Sequence, residues 1–278
     1  MVIQAPALSG YELLASGNGR RIERFGSVVT DRPEPQALWK FSGMHANADA
    51  IFSEGFWQAP EEVQKGWQVS FPQFGISLGL RLTPFRHVGL FPEQSENWQW
   101  LLSLIKKKPQ ASVLNLFGYT GGASLVAAKA GAHVTHVDAS APSIRWAKEN
   151  AALSGLPTDA IRWIEDDALK FMRREIRRGK TYDIILMDPP TFGRGPKGEI
   201  FRLEERVKEL CALSRQLVSP TPVGFLFNAY ATTLYPETLL RVAEGELHTV
   251  FPKLEVATLC LGEKNNNSLL PTGFFLRS

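Results

Sequence analysis

Only two cysteines occur in 278 residues, Cys211 and Cys260. Two thiols cannot make the disulfide framework of a small secreted scaffold, so a reducing compartment, the cytoplasm, is expected. Long hydrophobic runs are also missing. None approaches the roughly 20 apolar residues that a spanning helix needs, so no membrane partner is expected. Met1 to Ser16 carries neither a basic start nor a continuous apolar segment, and no secretory leader is expected. Without export, Asn266-Asn267-Ser268 is a chance match to a glycosylation acceptor. Charge of one sign is scarce as well. With 31 Lys and Arg against 28 Asp and Glu, the net charge is +3, too little to announce a nucleic-acid partner. One local excess exists: Lys170, Arg173, Arg174, Arg177, Arg178 and Lys180 fall in one short stretch. It reads as a solvated helix face, with a phosphate-contacting patch as the alternative. Histidine is sparse and scattered. His133 and His136 are three apart on a predicted strand and so point to opposite faces, and His45, His87 and His248 have no partner at ligand spacing. No metal is expected.

What is present changes texture near Ser95. Before it, short β-prone runs (Tyr11 to Leu14, Ile22 to Thr30, Trp67 to Phe71, Ile76 to Leu82) alternate with turn residues such as Gly17-Asn18-Gly19 and Asp31-Arg32-Pro33. Aromatics are frequent there: Trp39, Phe52, Phe56, Trp57, Trp67, Phe71, Phe74 and Phe85. They read as the core of a small β-rich domain, residues 1–94, with a base-stacking surface as the alternative. After it, helix and strand alternate. Trp98, Leu101, Leu102 and Ile105 recur at helical spacing, and Lys106-Lys107-Lys108 suits the negative end of that helix. Strands are predicted at Ser112–Phe117, His133–Asp138, Ile161–Ile164, Tyr182–Met187 and Val223–Phe227, with helices starting near Gly121, Ser140, Ala168 and Arg202. Two more strands, Leu254–Leu261 and Phe274–Leu276, follow. This rhythm implies right-handed βαβ units, hence a doubly wound α/β domain over residues 95–278.

In an open α/β sheet, ligands bind at the carboxyl ends of the strands. Three features fall there. Asn115-Leu116-Phe117-Gly118-Tyr119-Thr120-Gly121-Gly122 runs from a strand through a glycine-rich turn into a helix. Asp138, followed by Ala139 and Ser140, ends the next strand, about 20 residues past the first glycine, where an acidic side chain accepts from a ribose hydroxyl pair. Asp166-Asp167-Ala168 ends the third, where a carboxylate can face an adenine amino group. The turn is G-x-x-G-G, not the G-x-G-x-x-G of dinucleotide enzymes. A nucleoside ligand without phosphates, such as S-adenosylmethionine (SAM), fits better than NAD. The fourth strand ends Met187-Asp188-Pro189-Pro190-Thr191-Phe192. Paired prolines stop a strand rigidly. Asp188 beside them is a fixed acceptor for an amino group, and Phe192 offers a ring on which a planar base can stack.

These segments resemble the class I SAM-dependent methyltransferases, most of all the bacterial large-subunit (23S) ribosomal RNA enzymes that make 5-methylcytosine and N2-methylguanine. Phe91-Pro92-Glu93-Gln94 resembles that family's upstream motif, through which Phe91 and Gln94 line the cofactor pocket. Leu270-Pro271-Thr272-Gly273 and the Tyr11 to Trp39 stretch are also similar to members of it. The resemblance implies a Rossmann-like seven-stranded methyltransferase sheet whose last strand is antiparallel. It implies SAM with its methionine end at Asn115 to Gly122, its ribose on Asp138 and its adenine by Asp167 and Ala168, becoming S-adenosylhomocysteine after transfer. Asp188, Pro189, Pro190 and Phe192 would then face the methyl group. Two features depart from the family. The fifth strand runs Phe225-Leu226-Phe227-Asn228-Ala229-Tyr230, without the cysteine nucleophile of the 5-methylcytosine makers, and the N-terminal region does not match their RNA-binding module. Cys211 lies at apolar helical spacing and Cys260 in a late strand, both as core residues. The expected activity is therefore N-methylation of an exocyclic amine of a base in RNA, with ribosomal RNA favoured. A small-molecule or protein acceptor, and a non-catalytic SAM- and RNA-binding protein, are the alternatives.

Overall fold

The structure, a computed structural model, describes residues 1–41, 47–194, 200–230, 232–264 and 267–278. His45 and Asn266 lie outside the described residues. After a short first strand β1 (Val2–Gln4), the chain builds a five-stranded sheet from β2 (Tyr11–Gly17), β3 (Arg20–Phe25), β4 (Val28–Pro33), β5 (Ala50–Ser53) and β6 (Phe56–Gln58). The run expected as one strand from Ile22 to Thr30 is two. Gly26 has φ of 61°, a left-handed conformation open to glycine, and reverses the chain between β3 and β4. One turn of helix, α1 (Glu61–Gln64), leads to a hairpin of β7 (Trp67–Phe71) and β8 (Ile76–Leu80). Of the aromatics in this region, Phe52, Phe71 and Phe74 are buried, whereas Phe56 and Phe85 are 52% and 78% exposed. The core reading holds for those three and for Trp57 and Trp67, which are partly buried against the same core, but not for Phe56, Phe85 or Trp39.

The second half alternates as expected: α2 (Ser95–Lys107), β9 (Ser112–Leu116), α3 (Gly122–Lys129), β10 (His133–Asp138), α4 (Ala141–Leu153), β11 (Ile161–Glu165), α5 (Ala168–Arg177) and β12 (Ile184–Met187). A small hairpin of β13 (Phe192–Arg194) and β14 (Ile200–Arg202) precedes α6 (Leu203–Leu217), β15 (Gly224–Ala229), α7 (Pro236–Leu247), β16 (Glu255–Gly262) and β17 (Leu269–Arg277). Among the described residues the large sheet has the order β1-β16-β17-β15-β12-β9-β10-β11, and β17 alone runs antiparallel to its neighbours. The seven-stranded methyltransferase arrangement is thus present, with β1 added parallel to β16 as an eighth strand. Every residue of β12 and β15 is buried. Helices cover both faces, which is why these strands read as apolar runs. Leu169, Phe171 and Met172 of α5, Leu203, Val207 and Leu210 of α6, and Leu239, Ala243 and Leu247 of α7 pack on one face. Leu101, Leu104 and Ile105 of α2 pack on the other, with Ala127 of α3.

The two sheets meet closely. The Gly79 amide of β8 donates to Asn150 Oδ1 of α4 at 2.9 Å, and Trp146 Nε1 of α4 donates back to the Gly79 carbonyl at 2.7 Å. Ser16 at the end of β2 donates through its amide and hydroxyl to the buried Glu263 carboxylate, just past β16. The N-terminal β unit is held against the cleft side of the large sheet.

Candidate functional site

The carboxyl ends of β9, β10, β11, β12 and β15 open on a cavity of about 970 Å³. A smaller one of about 70 Å³ shares Phe91, Phe117, Tyr119 and Asp188 with it. Every predicted site residue except Gly121 lines one or both.

The glycine-rich turn is built for close approach. A Cβ on Gly118 would stand 2.3 Å from the His136 ring, so only glycine lets this backbone pass over β10. His136 is buried and neutral, its pKa lowered to about 3 by burial, and it closes a chain in which Asn115 Nδ2 and His136 Nδ1 each lie 2.9 Å from Ser124 Oγ. Asn115 therefore braces the turn, although it also borders the smaller cavity. Thr120 donates to the Gly89 carbonyl at 2.7 Å and accepts from Asn150 through its own carbonyl at 2.9 Å. Phe117 and Tyr119 hold φ of 57° and 49°. Left-handed conformations cost a non-glycine residue on the order of 1–3 kcal/mol, and both line the larger cavity, where such strain is commonly stored. Gly121, at φ 92°, caps α3 and Gly122 packs under Trp98.

Asp138 accepts from the Tyr119 amide at 2.9 Å and the Ser140 amide at 2.8 Å, one on each oxygen. A carboxylate has about four acceptor positions, so each oxygen retains one. Burial raises its pKa and the two amides oppose that rise. Ser140 caps α4, accepting from Ser143 at 3.2 Å. Asp167 caps α5, accepting from the Lys170 amide at 2.9 Å, while Asp166 pairs with Arg174 at 2.6 Å. The turn-cap role and cavity-lining position of Asp167 coexist, because one oxygen accepts that bond.

Asp188 differs from both. Its carboxylate makes no hydrogen bond among the described residues, and burial, with the Glu93 carboxylate nearby, pushes its pKa up to about 7. Pro189 is buried and Pro190 exposed. Phe192, at the head of β13, is 54% exposed at the cavity and takes no part in the core.

Several lining residues, Asn97, Tyr230, Arg21, Arg32 and Glu93 among them, escaped sequence reasoning, and the expected Gln94 connects to the first two. Gln94 bonds the Tyr230 hydroxyl, and its Oε1 accepts from Asn97 at 3.0 Å and from Asn228 at 3.3 Å. Asn97 Oδ1 is buried beside the smaller cavity with no partner. Arg21, Arg32 and Glu93 line the larger cavity although all three are buried. Charged residues inside short strands look like solvated edges; the available signal was that Arg21 and Glu23 share one face of β3 with the apolar Phe25.

Other candidates fall away from the cavity. Cys211 is fully buried in α6, with burial pushing its thiol up to about 12, and Cys260 is buried in β16. Neither lines either cavity. Three of the six residues of the basic stretch are ion-paired: Arg173 with Glu209, Arg174 with Asp166, and Arg178 with Glu175. Among the described residues no group of three or more His, Cys, Asp or Glu is placed to hold a metal. No helix of the described residues is long and apolar enough to cross a membrane.

A parallel α/β sheet with carboxylates at successive strand ends around a nucleoside-sized cleft defines an enzyme class that binds a nucleoside cofactor. A family model described as S-adenosylmethionine-dependent methyltransferase matches residues 53–244, and the chain belongs to that family, whose cofactor is SAM. It is 39% identical to the SAM-dependent methyltransferase from Agrobacterium tumefaciens, with a TM-score of 0.91 over 100% of this chain and 92% of that one. The methyltransferase SMU.776, solved with S-adenosylhomocysteine, shares the fold at 19% identity, with a TM-score of 0.72 over 98% of this chain and 76% of its own. The ribosomal RNA large subunit methyltransferase I of Shewanella denitrificans is 32% identical over 253 residues, 82% of this chain and 62% of that protein. Across four curated relatives of that name, the chain spans 38% to 62% of their length.

Proposed function

We propose that the protein transfers a methyl group from SAM to an exocyclic amine of a base in RNA, with ribosomal RNA favoured. The observation that carries this reading is Asp188, an acceptor without an internal partner, set beside Pro189-Pro190 and the exposed Phe192 ring. The matched relatives named as ribosomal RNA methyltransferases support the substrate class.

The free acceptor positions of Asp138 suit a ribose hydroxyl pair, Asp167 and Ala168 border the adenine side, and Phe91, Gln94 and the turn from Asn115 to Gly122 border the methionine side. When bound, SAM supplies a methyl group already activated by its sulfonium charge. The protein's contribution is alignment, which supplies about 7–11 kcal/mol in favourable cases. An exocyclic amine has its lone pair delocalised into the ring. By accepting one amine proton in a hydrogen bond, Asp188 draws that lone pair out of conjugation and fixes its direction. The same carboxylate near neutral pKa then takes up the proton that the methylated amine releases. Phe192 stacks on the base, an interaction worth about 1–3 kcal/mol, which offsets the cost of removing it from its own stack.

No thiol borders the cavity among the described residues, and an amine acceptor requires no covalent step, unlike carbon-5 of a pyrimidine. The carboxylates paired with Arg173, Arg174 and Arg178 lower the net positive charge of one surface that RNA would use, and this favours a small-molecule or protein acceptor as the second reading. Tritium transfer from labelled SAM to total RNA, total protein and a metabolite extract separates them. Label in the RNA fraction is expected; label confined to either other fraction would sink the RNA reading.

A further inference from the structure

Tyr230 stands at the boundary between the two cavities. It lines the larger one, while Gln94, to which its hydroxyl is bonded, lines the smaller. Two contacts tie it to the Asp188–Phe192 segment. Strands β12 and β15 are neighbours, with Met187 opposite Phe227, and the Thr191 hydroxyl donates to the Tyr230 carbonyl at 3.3 Å. The ring itself is wedged in place. Its centroid lies 5.7 Å from that of Phe91, and a Cβ on Gly273 would stand 2.7 Å from Tyr230 Cδ1 and 2.8 Å from the Ala229 carbonyl oxygen. Only glycine lets β17 pass this close, which gives the Leu270-Pro271-Thr272-Gly273 motif a local purpose.

The amides behind the hydroxyl set its polarity. Gln94 Oε1 accepts from Asn97 Nδ2 at 3.0 Å and from Asn228 Nδ2 at 3.3 Å, and Asn97 Nδ2 also donates to Asn228 Oδ1 at 3.0 Å. With its oxygen so engaged, Gln94 turns its amide nitrogen to Tyr230, and the hydroxyl is the acceptor of that bond. A phenol carries one donor beside its acceptor lone pairs. Among the described residues this hydroxyl makes no second hydrogen bond, so its O–H is left to the cavity. Burial, with the Glu93 and Asp188 carboxylates nearby, holds its pKa well above the ordinary tyrosine value, and the proton is retained. We propose that the Tyr230 hydroxyl is the hydrogen-bond donor that holds the acceptor base, and that Asn97 and Gln94 are the positioning residues that aim it. The proposal rests on the RNA reading above, in which Asp188 takes the amine. Every base with an exocyclic amine has a bare ring nitrogen next to the carbon that bears it, and that lone pair is what the hydroxyl meets. One acceptor, Asp188, and one donor, Tyr230, then fix the base within its plane, while Phe192 holds its face.

The test uses the full-length protein, saturating tritiated SAM and a titration of total RNA. Tyr230→Phe removes one oxygen and keeps the ring. The acceptor KM should rise about tenfold, the loss expected for one hydrogen bond, with kcat at saturating RNA and calorimetric SAM affinity each within about threefold of wild type. Gln94→Glu should raise the acceptor KM by a similar factor, because a carboxylate accepts where the amide donates and turns the Tyr230 proton away from the cavity. In the double variant the two losses should not add, since both remove the same donor. An unchanged acceptor KM in Tyr230→Phe would overturn the proposal and leave the RNA reading standing. A loss of SAM affinity in that variant larger than its change in acceptor KM would overturn it too, by showing that the hydroxyl serves the cofactor through Gln94. Gln94→Glu with wild-type acceptor KM, or additive losses in the double variant, would overturn the aiming of the hydroxyl by Gln94. If no preparation labels RNA, the RNA reading itself falls and this proposal with it. Should Tyr230→Phe fail to fold, Gln94→Glu still decides.

Discussion

Asp138 and Asp188 end β10 and β12, on either side of β9, and both are raised in pKa by burial, yet the fold treats them oppositely. Asp138 accepts two backbone amides, which orient both oxygens and favour the ion before any ligand arrives. Asp188 receives none, and the neighbouring Glu93 pushes it further toward the neutral form. One carboxylate is finished by the fold, and the other is left for something else to finish. On the function proposed above, that difference would separate a site preorganised for the cofactor from a site poised for an acceptor that comes and goes.

The largest effect should come from the unfinished carboxylate. Asp188→Ala is expected to lower methyl transfer by about a hundredfold or more while SAM affinity stays within a few-fold, the signature of a group that acts on the acceptor. Wild-type transfer should also fall about tenfold between pH 8 and pH 6, because the ionised form is the acceptor and its pKa is about 7. Isothermal calorimetry and filter-binding assays on the same preparation measure both. A parallel loss of SAM affinity would erase the distinction between the two aspartates.

The mirror-image experiment is smaller. Asp138→Ala should weaken SAM and S-adenosylhomocysteine by more than tenfold, about 1.4 kcal/mol, a reasonable loss for hydrogen bonds to a charged acceptor. If calorimetry instead found affinity unchanged, the two amide bonds to Asp138 would be bracing the turn and nothing more.

Smaller again is Phe192→Ala. The ring is 54% exposed, so its removal leaves no core cavity and the melting temperature should hold. Losing a stacked base contact should raise the acceptor KM by about five- to a hundredfold, with kcat at saturation little changed. Unfolding of this variant, with normal activity per folded molecule, would show that the ring serves packing after all.

How much of this was legible beforehand follows from where each residue's surroundings come from. Strands β12 and β15 announce themselves as apolar runs because helices bury both faces, and β10 and β12 lead into Asp138 and Asp188. The carboxyl-end rule then places the acidic residues in one cleft. Strand β17 was foreseen only as Phe274–Leu276, because Pro271 and Gly273 argue against a strand. The register shift opposite them, where Leu259 pairs with Gly273 and Cys260 with Pro271, accommodates both. Helix α7 was missed despite Pro236 at its first turn and Leu239, Ala243 and Leu247 at four-residue spacing. The burial of Arg21 and Glu93 was illegible for a deeper reason. Both line one cavity from segments some 70 residues apart in sequence, a strand and a 3₁₀ turn, and nothing local to either segment marks it.

The gentlest test of the two carboxylates needs no substrate. An unfolded aspartate titrates near pH ~3.9, and Asp188 in the folded chain titrates near pH 7. Because the folded chain holds this proton more tightly, its stabilising contribution is full below about pH 4 and is lost as pH rises through 7. Asparagine in its place carries no such dependence. The melting temperature of Asp188→Asn relative to wild type should therefore climb between pH 5 and pH 8, as the wild type is forced to bury an ion that nothing satisfies. Asp138→Asn should behave otherwise. Its two oxygens each accept a backbone amide, and an asparagine amide group must turn an N–H toward one of those donors, so this variant should be destabilised at pH 8. Thermal melts of both variants at pH 5, 6.5 and 8 measure the contrast. A flat profile for Asp188→Asn would mean that its carboxyl is ionised throughout this range, finished by the fold as thoroughly as Asp138.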